Sequence, residues 1–550
     1  MTRTRIFAAC AAAFGILATA GSGWTQQAQP APAQAQGRGG AQAAPQPQPT
    51  GKAPVVRVSG GQVQGLVYND VAVYRGIPFA APPVGALRWR APQPAANWNG
   101  VRDASAFGAG CTAAEDCLFV NVFKPASAKA GARLPVMVWI YGGAFTGGNS
   151  ATYDGSQFAK KDIVVVTFNY RLGRTGWFSH PALTKNAPAG EPVGNYGMQD
   201  QIAALKWVQR NVGAFGGNPG KVTIFGESAG AISVNYLMVS PQATGGLFHQ
   251  AISESGFGRI EPRPLADSEA AGATFFTGLG ITGDSPATLA AMRATPFARL
   301  QGGLPLGSTG VILDGKTVNI STAQGFAQGR QAKVPYLLGG NSNEASLLPT
   351  ANPAGRLAAL TTQREALMAA YDPERRGEAG RIVNLIVTDN SITEPDRWLA
   401  RQHVKTGQPT FVYYFSYVPP AQRATSLGLA HGAEIGYVFG RPSADPQDTS
   451  TSQAANAYWA AFAKYGDPGA AGGPRWPRYD MAREARLEFG VDGVKVRDQF
   501  AKARLDWNEA NRAQIAASAA AGAAPAAGAA PPAVGGGRGG GRGGGRGGAG

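Results

Sequence analysis

Long apolar runs are almost absent from this chain. The one present, Ile6 to Ala20, holds about 15 residues, fewer than the roughly 20 that a helix needs to span a bilayer. Arg3 and Arg5 precede the run, and the Ala-Thr-Ala at residues 18–20 offers a small-x-small cleavage site, as in secretory signal peptides. We therefore expect residues 1–20 to be a signal peptide, the protein to be exported to the periplasm or the medium, and no segment to span the membrane.

Cysteine is scarce, with 3 residues among 550. Cys10 lies in the predicted signal peptide, which leaves Cys111 and Cys117. The spacing of this pair is not that of metal ligands and no histidine is near, so we expect no metal site. An even pair of cysteines in an oxidising compartment favours a disulfide that closes a short loop.

Blocks of basic residues are missing from the middle of the chain, although the formal net charge is +16. Part of the excess comes from arginines near the termini, and no nucleic-acid recognition motif accompanies the charge. We therefore expect no specific nucleic-acid partner.

Large apolar residues are rare at both ends of the chain. Residues 21–53 are rich in Ala, Gln, Pro and Gly, and residues 513–550 are similar and end in GGGRGGGRGGGRGG followed by AG. Such segments bury too little apolar surface to offset the entropy of ordering, so we expect a disordered spacer and a disordered tail. The basic Gly/Arg-rich tail is suited to contacts with anionic surface polymers, and residues 54–512 are expected to form the folded domain.

Apolar β-rich stretches alternate with helical patterns between these ends. The stretch at Ile163–Asn169 is almost continuously apolar, as expected for a strand covered on both faces, whereas Asp200–Asn211 shows helical spacing. Further strands are expected at Val55–Val58, Val63–Val67, Val71–Arg75, Phe119–Phe123, Leu134–Ile140, Val222–Phe225, His249–Ser253, Val334–Leu338 and Phe411–Phe415. This alternation predicts an α/β fold with a mostly parallel central sheet and helices on both faces, and helical cap insertions at 262–330 and 351–405.

The pentapeptide Gly226-Glu227-Ser228-Ala229-Gly230 lies between strand-like VTIF and helix-like AISVNYLMV. The bare G-x-S-x-G pattern is weak in a chain with 77 glycines. Its strand–turn–helix setting, however, predicts a nucleophile elbow, in which a strained turn exposes the serine and the flanking glycines relieve crowding. Ser228 is therefore the candidate nucleophile.

A second glycine-rich turn, Tyr141–Phe145, follows the strand-like LPVMVWI. A tight turn here would point the backbone N–H groups of Gly143 and Ala144 into the site, where they and the N–H of Ala229 could bind the oxyanion of a tetrahedral intermediate. A purely structural turn is the alternative, because Gly-Gly pairs are common in this chain.

The chain has 4 histidines, so candidates for the base are few. His180 precedes a proline, His249 begins a buried-looking strand, and His403 lies in a helical pattern. His431 alone lies in a loop-like setting rich in small residues, GLAHGAEIGYVFG. Since the histidine follows the serine in hydrolases built on such an elbow, His431 is the favoured base.

The acid that orients the histidine is expected between Ser228 and His431, just past a strand. Glu344 meets this condition, because VPYLLGG reads as a strand and NSNEAS as the loop after it. Asp314 and Asp389 are the competing candidates.

Together these segments resemble the type-B carboxylesterase family, which includes cholinesterases and bacterial p-nitrobenzyl esterases. The resemblance extends from about Pro54 to Arg512. Its signatures here are VYRGIPFAAPPVGALRW (Val73–Trp89), EDCLFVNVF (Glu115–Phe123), NYRLG (Asn169–Gly173), the segment Gly194–Gly230 that ends in GESAG, FHQAISESG (Phe248–Gly256), AHGAEIGYVFG (Ala430–Gly440) and YWAAFAKYGDPG (Tyr458–Gly469).

The resemblance implies an α/β-hydrolase catalytic domain at 54–512 that acts as a serine ester hydrolase without metal or organic cofactor. The catalytic roles known for the family can be assigned, residue by residue, to matching positions of this chain. They assign Ser228 as nucleophile, Glu344 as acid, His431 as base, Gly143, Ala144 and Ala229 as oxyanion donors, and Cys111 and Cys117 as a disulfide. The implied substrate is a small-molecule ester that is split into an alcohol and a carboxylic acid.

Two departures from the family pattern concern the substrate. Many relatives have histidine where this chain has Tyr141, so that substrate contacts are expected to differ there. The loop between the two cysteines is short and has no aromatic residue, whereas cholinesterases carry their choline-binding tryptophan in it, and choline esters are therefore not favoured. An acyltransferase, an amidase and a binding protein that has lost catalysis are the alternative functions.

Overall fold

A computed structural model describes residues 48–243, 245–305 and 307–523. The predicted signal peptide, most of the predicted spacer and the Gly/Arg-rich tail lie outside these residues. Among the described helices, none is both long and apolar enough to cross a bilayer.

Seventeen strands are present in the described residues. In chain order they are β1 (Gly51–Lys52), β2 (Val56–Val58), β3 (Gly61–Gln64), β4 (Leu66–Tyr68), β5 (Val71–Pro78), β6 (Val101–Asp103), β7 (Phe119–Pro125), β8 (Leu134–Ile140), β9 (Val164–Phe168), β10 (Gly217–Glu227), β11 (Gln250–Glu254), β12 (Arg263–Pro264), β13 (Ile312–Leu313), β14 (Tyr336–Asn341), β15 (Thr410–Phe415), β16 (Arg486–Gly490) and β17 (Gly493–Arg497). The expected strands are present with ends that differ by a few residues, except that the one expected at Val63–Val67 is divided between β3 and β4, which belong to different sheets.

Twelve of these strands form one sheet in the order β1-β4-β5-β7-β9-β8-β10-β11-β14-β15-β16-β17. The neighbours from β9 through β16 pair in parallel, and the pairs outside that block are antiparallel. Every residue of the central strands β9, β11, β14 and β15 is buried, as the continuous apolar runs predict for strands covered on both faces. The predicted α/β fold class is confirmed.

Helices cover both faces of the sheet and form the insertions. In chain order they are α1 (Ser156–Ala159), α2 (Gly173–Gly176), α3 (Pro181–Asn186), α4 (Tyr196–Asn211), α5 (Ala229–Val239), α6 (Leu265–Thr277), α7 (Pro286–Ala294), α8 (Phe297–Gln301), α9 (Thr322–Ala327), α10 (Pro353–Ala358), α11 (Arg364–Tyr371), α12 (Ala379–Thr388), α13 (Glu394–Val404), α14 (Ile435–Val438), α15 (Pro446–Tyr465), α16 (Lys502–Ala510), α17 (Arg512–Ala517) and α18 (Ala519–Ala523). Of the two segments expected as caps, 351–405 is largely helical, whereas 262–330 combines four helices with the short strands β12 and β13 and irregular loops.

The apolar core lies along the parallel block, with smaller clusters under the insertions. In the main core, Trp139 is fully buried and its ring meets Phe225 and Phe439 at centroid distances of 4.7 and 5.0 Å. Separate clusters centre on Trp89 with Phe276 and on Trp507 with Tyr371. This packing fixes the carboxyl ends of the parallel strands, where ligands bind in folds of this type.

The folded region extends past both predicted limits. Gly51 and Lys52, expected in the spacer, pair with β4. Residues 513–523, expected in the tail, continue as α17 and α18, because Ile515 is fully buried and Gly522 packs against Arg356. A single apolar residue in an alanine-rich helix gives too weak a pattern to be read from the sequence.

Cys111 and Cys117 are joined by a disulfide, as expected from the pair. Both cysteines are buried at 1 % exposure, and the short loop between them carries Glu115, which pairs with Arg88. The disulfide therefore anchors the turn that leads into β7.

Candidate active site

Ser228 lies on the turn between β10 and α5, with φ 55° and ψ −122°. A non-glycine residue rarely adopts this conformation, and here the backbone N–H of Ser228 is held by the carbonyl of Glu254 at 2.9 Å. The turn brings the serine to the carboxyl end of the sheet, as predicted for a nucleophile elbow. Ser228 is buried, with 8 % of the residue exposed.

The two elbow glycines are required by close backbone packing. A side-chain carbon at Gly230 would lie 1.9 Å from the carbonyl oxygen of Ile140, and one at Gly226 would lie 2.5 Å from the same oxygen. Neither glycine has a positive φ, so the constraint is space and not backbone conformation.

Gly230→Ala is expected to destabilise the fold by at least about 1–3 kcal/mol, the usual cost of overpacking. Gly380→Ala is the matched control, because Gly380 also lies in a helix but no atom lies within 4 Å of an added side-chain carbon. That control is expected to stabilise the protein by about 0.5–1 kcal/mol. Chemical unfolding of both variants measures the difference, and equal stabilities would contradict the packing described for the elbow.

Glu344 follows β14 and reaches His431, which lies in the loop before α14. Its Oε2 lies 2.5 Å from Nδ1 of His431, while its Oε1 accepts hydrogen bonds from the Ser255 hydroxyl at 2.6 Å and the Asn341 N–H at 2.5 Å. Glu344 is almost fully buried. Three donors thus fix one carboxylate, and that carboxylate fixes the ring of His431.

The Nε2 edge of the His431 ring lies beside Glu227, a residue that the sequence analysis did not assign to the site. Nε2 lies 3.1 Å from Oε1 of Glu227, the residue before Ser228. The alignment is not that of a hydrogen bond, and Nε2 has no hydrogen-bond partner among the described residues. The imidazole ring also packs edge-on against Phe257, with centroids 5.9 Å apart. The sequence signal for Glu227 was its place inside the pentapeptide.

A third buried carboxylate, Glu434, was also not predicted from the sequence to belong to the site. It lies three residues after His431 and accepts a hydrogen bond from the side-chain amide of Asn341. Burial, reinforced by Glu227 and Glu344, raises the pKa of Glu434 to about 8. The side-chain amide and the backbone N–H of Asn341 therefore link Glu434 to Glu344.

The carboxylates control the proton on His431. Burial lowers the pKa of the imidazole, but Glu227 and Glu344 raise it more, so that the net shift is upward from 6.5. Burial raises the pKa of Glu227 to about 7, with His431 opposing and Glu344 adding to the rise. The pKa values of His431 and Glu227 are therefore both raised, and each of the two groups influences the other.

The glycine-rich turn after β8 folds against the elbow. Gly143, Ala144 and Phe145 all have positive φ values, at 106°, 54° and 60°. The backbone N–H groups of Gly143 and Ala144 donate to no acceptor among the described residues. A side-chain carbon at Gly142 would lie 2.9 Å from the β-carbon of Ser228, so this turn lies directly beside the serine.

The side chain of Tyr141, the position where many relatives have histidine, is turned into the core. The side chain is fully buried, and its ring stacks on Tyr170 with centroids 4.5 Å apart. In return the Tyr170 hydroxyl donates to the Tyr141 carbonyl at 2.6 Å. Through this packing, Tyr141 supports the glycine-rich turn from the side of the core.

The competing histidines and acids lie elsewhere. His180 accepts from the N–H of Ala182 at the start of α3, and His403 is buried against the Val334 carbonyl. His249 lies beside the Val222 N–H. Asp314 accepts from the backbone of the loop that follows it, and Asp389 pairs with Arg504. None of the competing groups contacts another candidate catalytic side chain.

Comparison with known proteins gives a consistent result. The family model described as "Carboxylesterase family" matches residues 52–357 and 349–507. A fumonisin B1 esterase from Sphingopyxis macrogoltabida is 36 % identical over 474 residues, covering 78 % of this chain and 85 % of the relative. Carboxylesterase 1D from Rattus norvegicus is 33 % identical over 548 residues, covering 84 % and 94 %.

Solved structures agree with the sequence relatives. A structure described as PNB esterase has a TM-score of 0.70 and 30 % identity, covering 82 % of this chain and 99 % of its own. A carboxylesterase of Geobacillus stearothermophilus has a TM-score of 0.71 and 30 % identity at the same coverage. This chain therefore belongs to the carboxylesterase family of α/β-hydrolases, and its activity is that of a carboxylesterase.

Proposed function

We propose that this protein hydrolyses small carboxylic esters through an acyl-enzyme on Ser228. His431 removes the proton from the Ser228 hydroxyl as this oxygen attacks the ester carbonyl. The protonated imidazole then gives its proton to the leaving alcohol. Water, deprotonated by the same histidine, attacks the acyl group, and the carboxylic acid leaves.

The observation that carries this proposal is the contact between Glu344 and His431 beside the strained turn of Ser228. A proton on Nδ1 of His431 is held by the carboxylate at 2.5 Å, which leaves the lone pair of Nε2 for the serine. The buried carboxylate also stabilises the imidazolium that forms during attack. Catalytic hydrogen bonds often tighten only when substrate binds, so the Nε2 of the free enzyme need not already contact the hydroxyl.

The oxyanion of the tetrahedral intermediate is proposed to bind the N–H groups of Gly143, Ala144 and Ala229. Two observations support this role. The first two amides have no acceptor within the described residues, and their turn lies against the β-carbon of Ser228. Removal of one such donor typically lowers the rate roughly 100- to 1000-fold.

Hydrolysis of p-nitrophenyl esters from acetate to octanoate tests the proposal. We expect a burst of nitrophenol followed by steady turnover, and a chain-length profile that bounds the acyl pocket. Fumonisin B1 belongs in the panel because one relative is named for that ester. Addition of a competing alcohol separates hydrolysis from acyl transfer, since a transferase would yield mainly the new ester. Absence of hydrolysis of every member of the panel would contradict the proposal.

The pH dependence follows from the carboxylates around His431. Activity requires the neutral imidazole, so kcat/KM should rise with pH through an apparent pKa above 6.5, the ordinary value for His431. Glu227→Gln removes a negative charge that favours the imidazolium, and should move this limb to lower pH by roughly one unit. A pH profile from about 5 to 11 measures the limb, because the pKa of His431 is raised to about 10.

Glu365→Gln is the matched control for this shift, because Glu365 is exposed on α11, an element that carries none of the candidate catalytic residues. It should leave the limb in place. A limb that stays fixed or moves upward in Glu227→Gln would contradict the assignment of His431 as the titrating base.

We also propose that the protein is exported. The disulfide between Cys111 and Cys117 supports this, since such bonds persist in oxidising compartments. Fractionation of expressing cells should recover a mature chain whose N-terminus is residue 21. A full-length chain in the cytosolic fraction would contradict export.

A further inference from the structure

His431 lies in an irregular segment of the chain, because residues 423–434 belong to no helix or strand. Segments without regular structure are more mobile than helices and strands unless other groups hold them. The orientation of a catalytic imidazole matters, since a displacement of about 1 Å can lower the rate roughly 100-fold. The groups that hold this segment therefore bear on catalysis, and they come from the loop that follows β14.

Ser342 and Asn343 hold the segment two residues before His431. The Ser342 hydroxyl accepts the backbone N–H of Leu429 at 2.8 Å, inside the protein, where Ser342 is 9 % and Leu429 is 3 % exposed. The backbone N–H of Asn343 donates to the Leu429 carbonyl at 2.9 Å. Both backbone groups of Leu429 are thus bound by the two residues that precede the acid, Glu344.

Asn341 and Ser346 hold the next two residues of the segment. The side-chain amide of Asn341 donates to the Ala430 carbonyl at 2.9 Å. The Ser346 hydroxyl accepts the backbone N–H of His431 itself at 2.9 Å. Ser346 is exposed, so this last hydrogen bond lies at the protein surface.

The loop that supplies these groups is itself anchored to regular elements. The N–H of Ser342 donates to the Phe415 carbonyl of β15 at 2.9 Å. The side chain of Asn343 accepts from Asn384 of α12 at 2.7 Å. The same loop therefore carries the acid and holds the segment that carries the base.

We propose that Ser342 and Ser346 are positioning residues, which hold the imidazole of His431 where it can take the proton of Ser228. This inference rests on the acyl-enzyme route proposed above. Each hydroxyl acts through a backbone N–H of the segment and not on the substrate. Without these acceptors the segment gains freedom, and the imidazole spends less time in line with the serine.

Turnover of p-nitrophenyl acetate, counted per active site by organophosphate titration, tests the proposal. Ser342→Ala leaves the Leu429 N–H buried without an acceptor, and should lower kcat roughly 10- to 100-fold with KM within about twofold. Ser346→Ala should lower kcat about three- to tenfold, because water partly replaces an exposed acceptor. Ser346→Thr keeps the hydroxyl and should retain at least about half of the wild-type kcat. The pH limb should stay in place in all three variants, since no charge changes.

Ser321→Ala and Ser285→Ala are the matched controls for the buried and the exposed serine. Ser321 is buried and Ser285 is exposed, and each hydroxyl accepts a backbone N–H at 3.2 Å where a helix begins, α9 and α7 respectively. Both controls lose the same kind of hydrogen bond as the site variants. Each should be destabilised in urea, but its kcat should stay within about twofold of the wild type.

A signal that does not depend on turnover reports the same effect. The Nδ1 proton of His431 is bound by Glu344 at 2.5 Å, and should give a proton NMR resonance far downfield that is absent from His431→Gln. We expect this proton to exchange with water at least about tenfold faster in Ser342→Ala than in the wild type or in Ser321→Ala.

Equal kcat per active site and equal proton exchange in Ser342→Ala and Ser321→Ala would overturn the proposal. So would a loss of titratable sites in Ser342→Ala with kcat per remaining site unchanged, because the serine would then serve stability alone. If the wild type hydrolyses no ester, the proposed function is contradicted, whereas faster exchange in Ser342→Ala would still show that this serine positions His431.

Discussion

Ser228→Ala is expected to lower kcat for p-nitrophenyl acetate roughly 10⁵- to 10⁶-fold, the range seen when the nucleophile of a serine hydrolase is removed. The proposed route has no alternative nucleophile, because the acyl-enzyme forms on the Ser228 oxygen. The fold should survive, since alanine fits wherever the serine does and the turn is held by the backbone bond to Glu254. Steady-state kinetics and circular dichroism on the same preparation measure both effects.

Ser233→Ala provides the matched control for this loss. Ser233 is also fully buried and lies on the helix that Ser228 precedes, but its hydroxyl bonds to the Ala229 carbonyl and accepts from Gln201. Loss of the hydrogen bonds of this hydroxyl should lower the free energy of unfolding by about 1 kcal/mol. Turnover should be largely retained. If Ser228→Ala kept turnover comparable to Ser233→Ala, the nucleophile would have been assigned wrongly.

Glu344→Gln is expected to lower kcat roughly 10⁴-fold, as loss of the orienting acid does in other serine hydrolases. The reason lies in the hydrogen bonds around this side chain. Oε1 accepts from Ser255 and from the Asn341 N–H, so the oxygen of a glutamine would stay there and its NH₂ would face Nδ1 of His431. Nδ1 must then accept, the proton moves to Nε2, and the ring can no longer take a proton from Ser228.

Glu227→Gln separates this tautomer effect from a simple loss of charge. Both carboxylates contact His431, but Glu227 lies at Nε2 and Glu344 at Nδ1. The Glu227 variant should lose much less activity and show mainly a shifted pH profile. Equal losses in the two variants at the pH optimum would mean that charge, and not the orientation of the imidazole, is what Glu344 supplies.

The fold could be predicted because its signals are local and strong. Continuous apolar runs such as that of β9 identify strands buried on both faces, and the strand–turn–helix context of Ser228 limits where an elbow can lie. The strand order of the sheet could not be obtained in this way, because it depends on contacts between distant segments. The edge hairpin of β16 and β17 was also missed, since β17 alternates between exposed and half-buried residues and carries few large apolar side chains.

The candidate site was predicted where chain order and strand ends constrain it. Glu344 follows a strand and precedes His431, and the structure brings these two side chains together. Glu227 and Glu434 were missed because buried carboxylates cannot be told from solvated ones by sequence spacing. The sequence did not indicate that the ring of Tyr141 turns into the core and packs on Tyr170, because that orientation is set by tertiary packing.

The central claim, an acyl-enzyme on Ser228, is tested most directly by trapping that intermediate. Wild-type protein is mixed with excess p-nitrophenyl acetate, quenched in acid within the burst, digested and analysed by peptide mass spectrometry. The account predicts one acetyl group, on the peptide that contains Ser228, and none in Ser228→Ala treated in parallel. An acetyl group on another residue that forms and decays at the rate of turnover would contradict it.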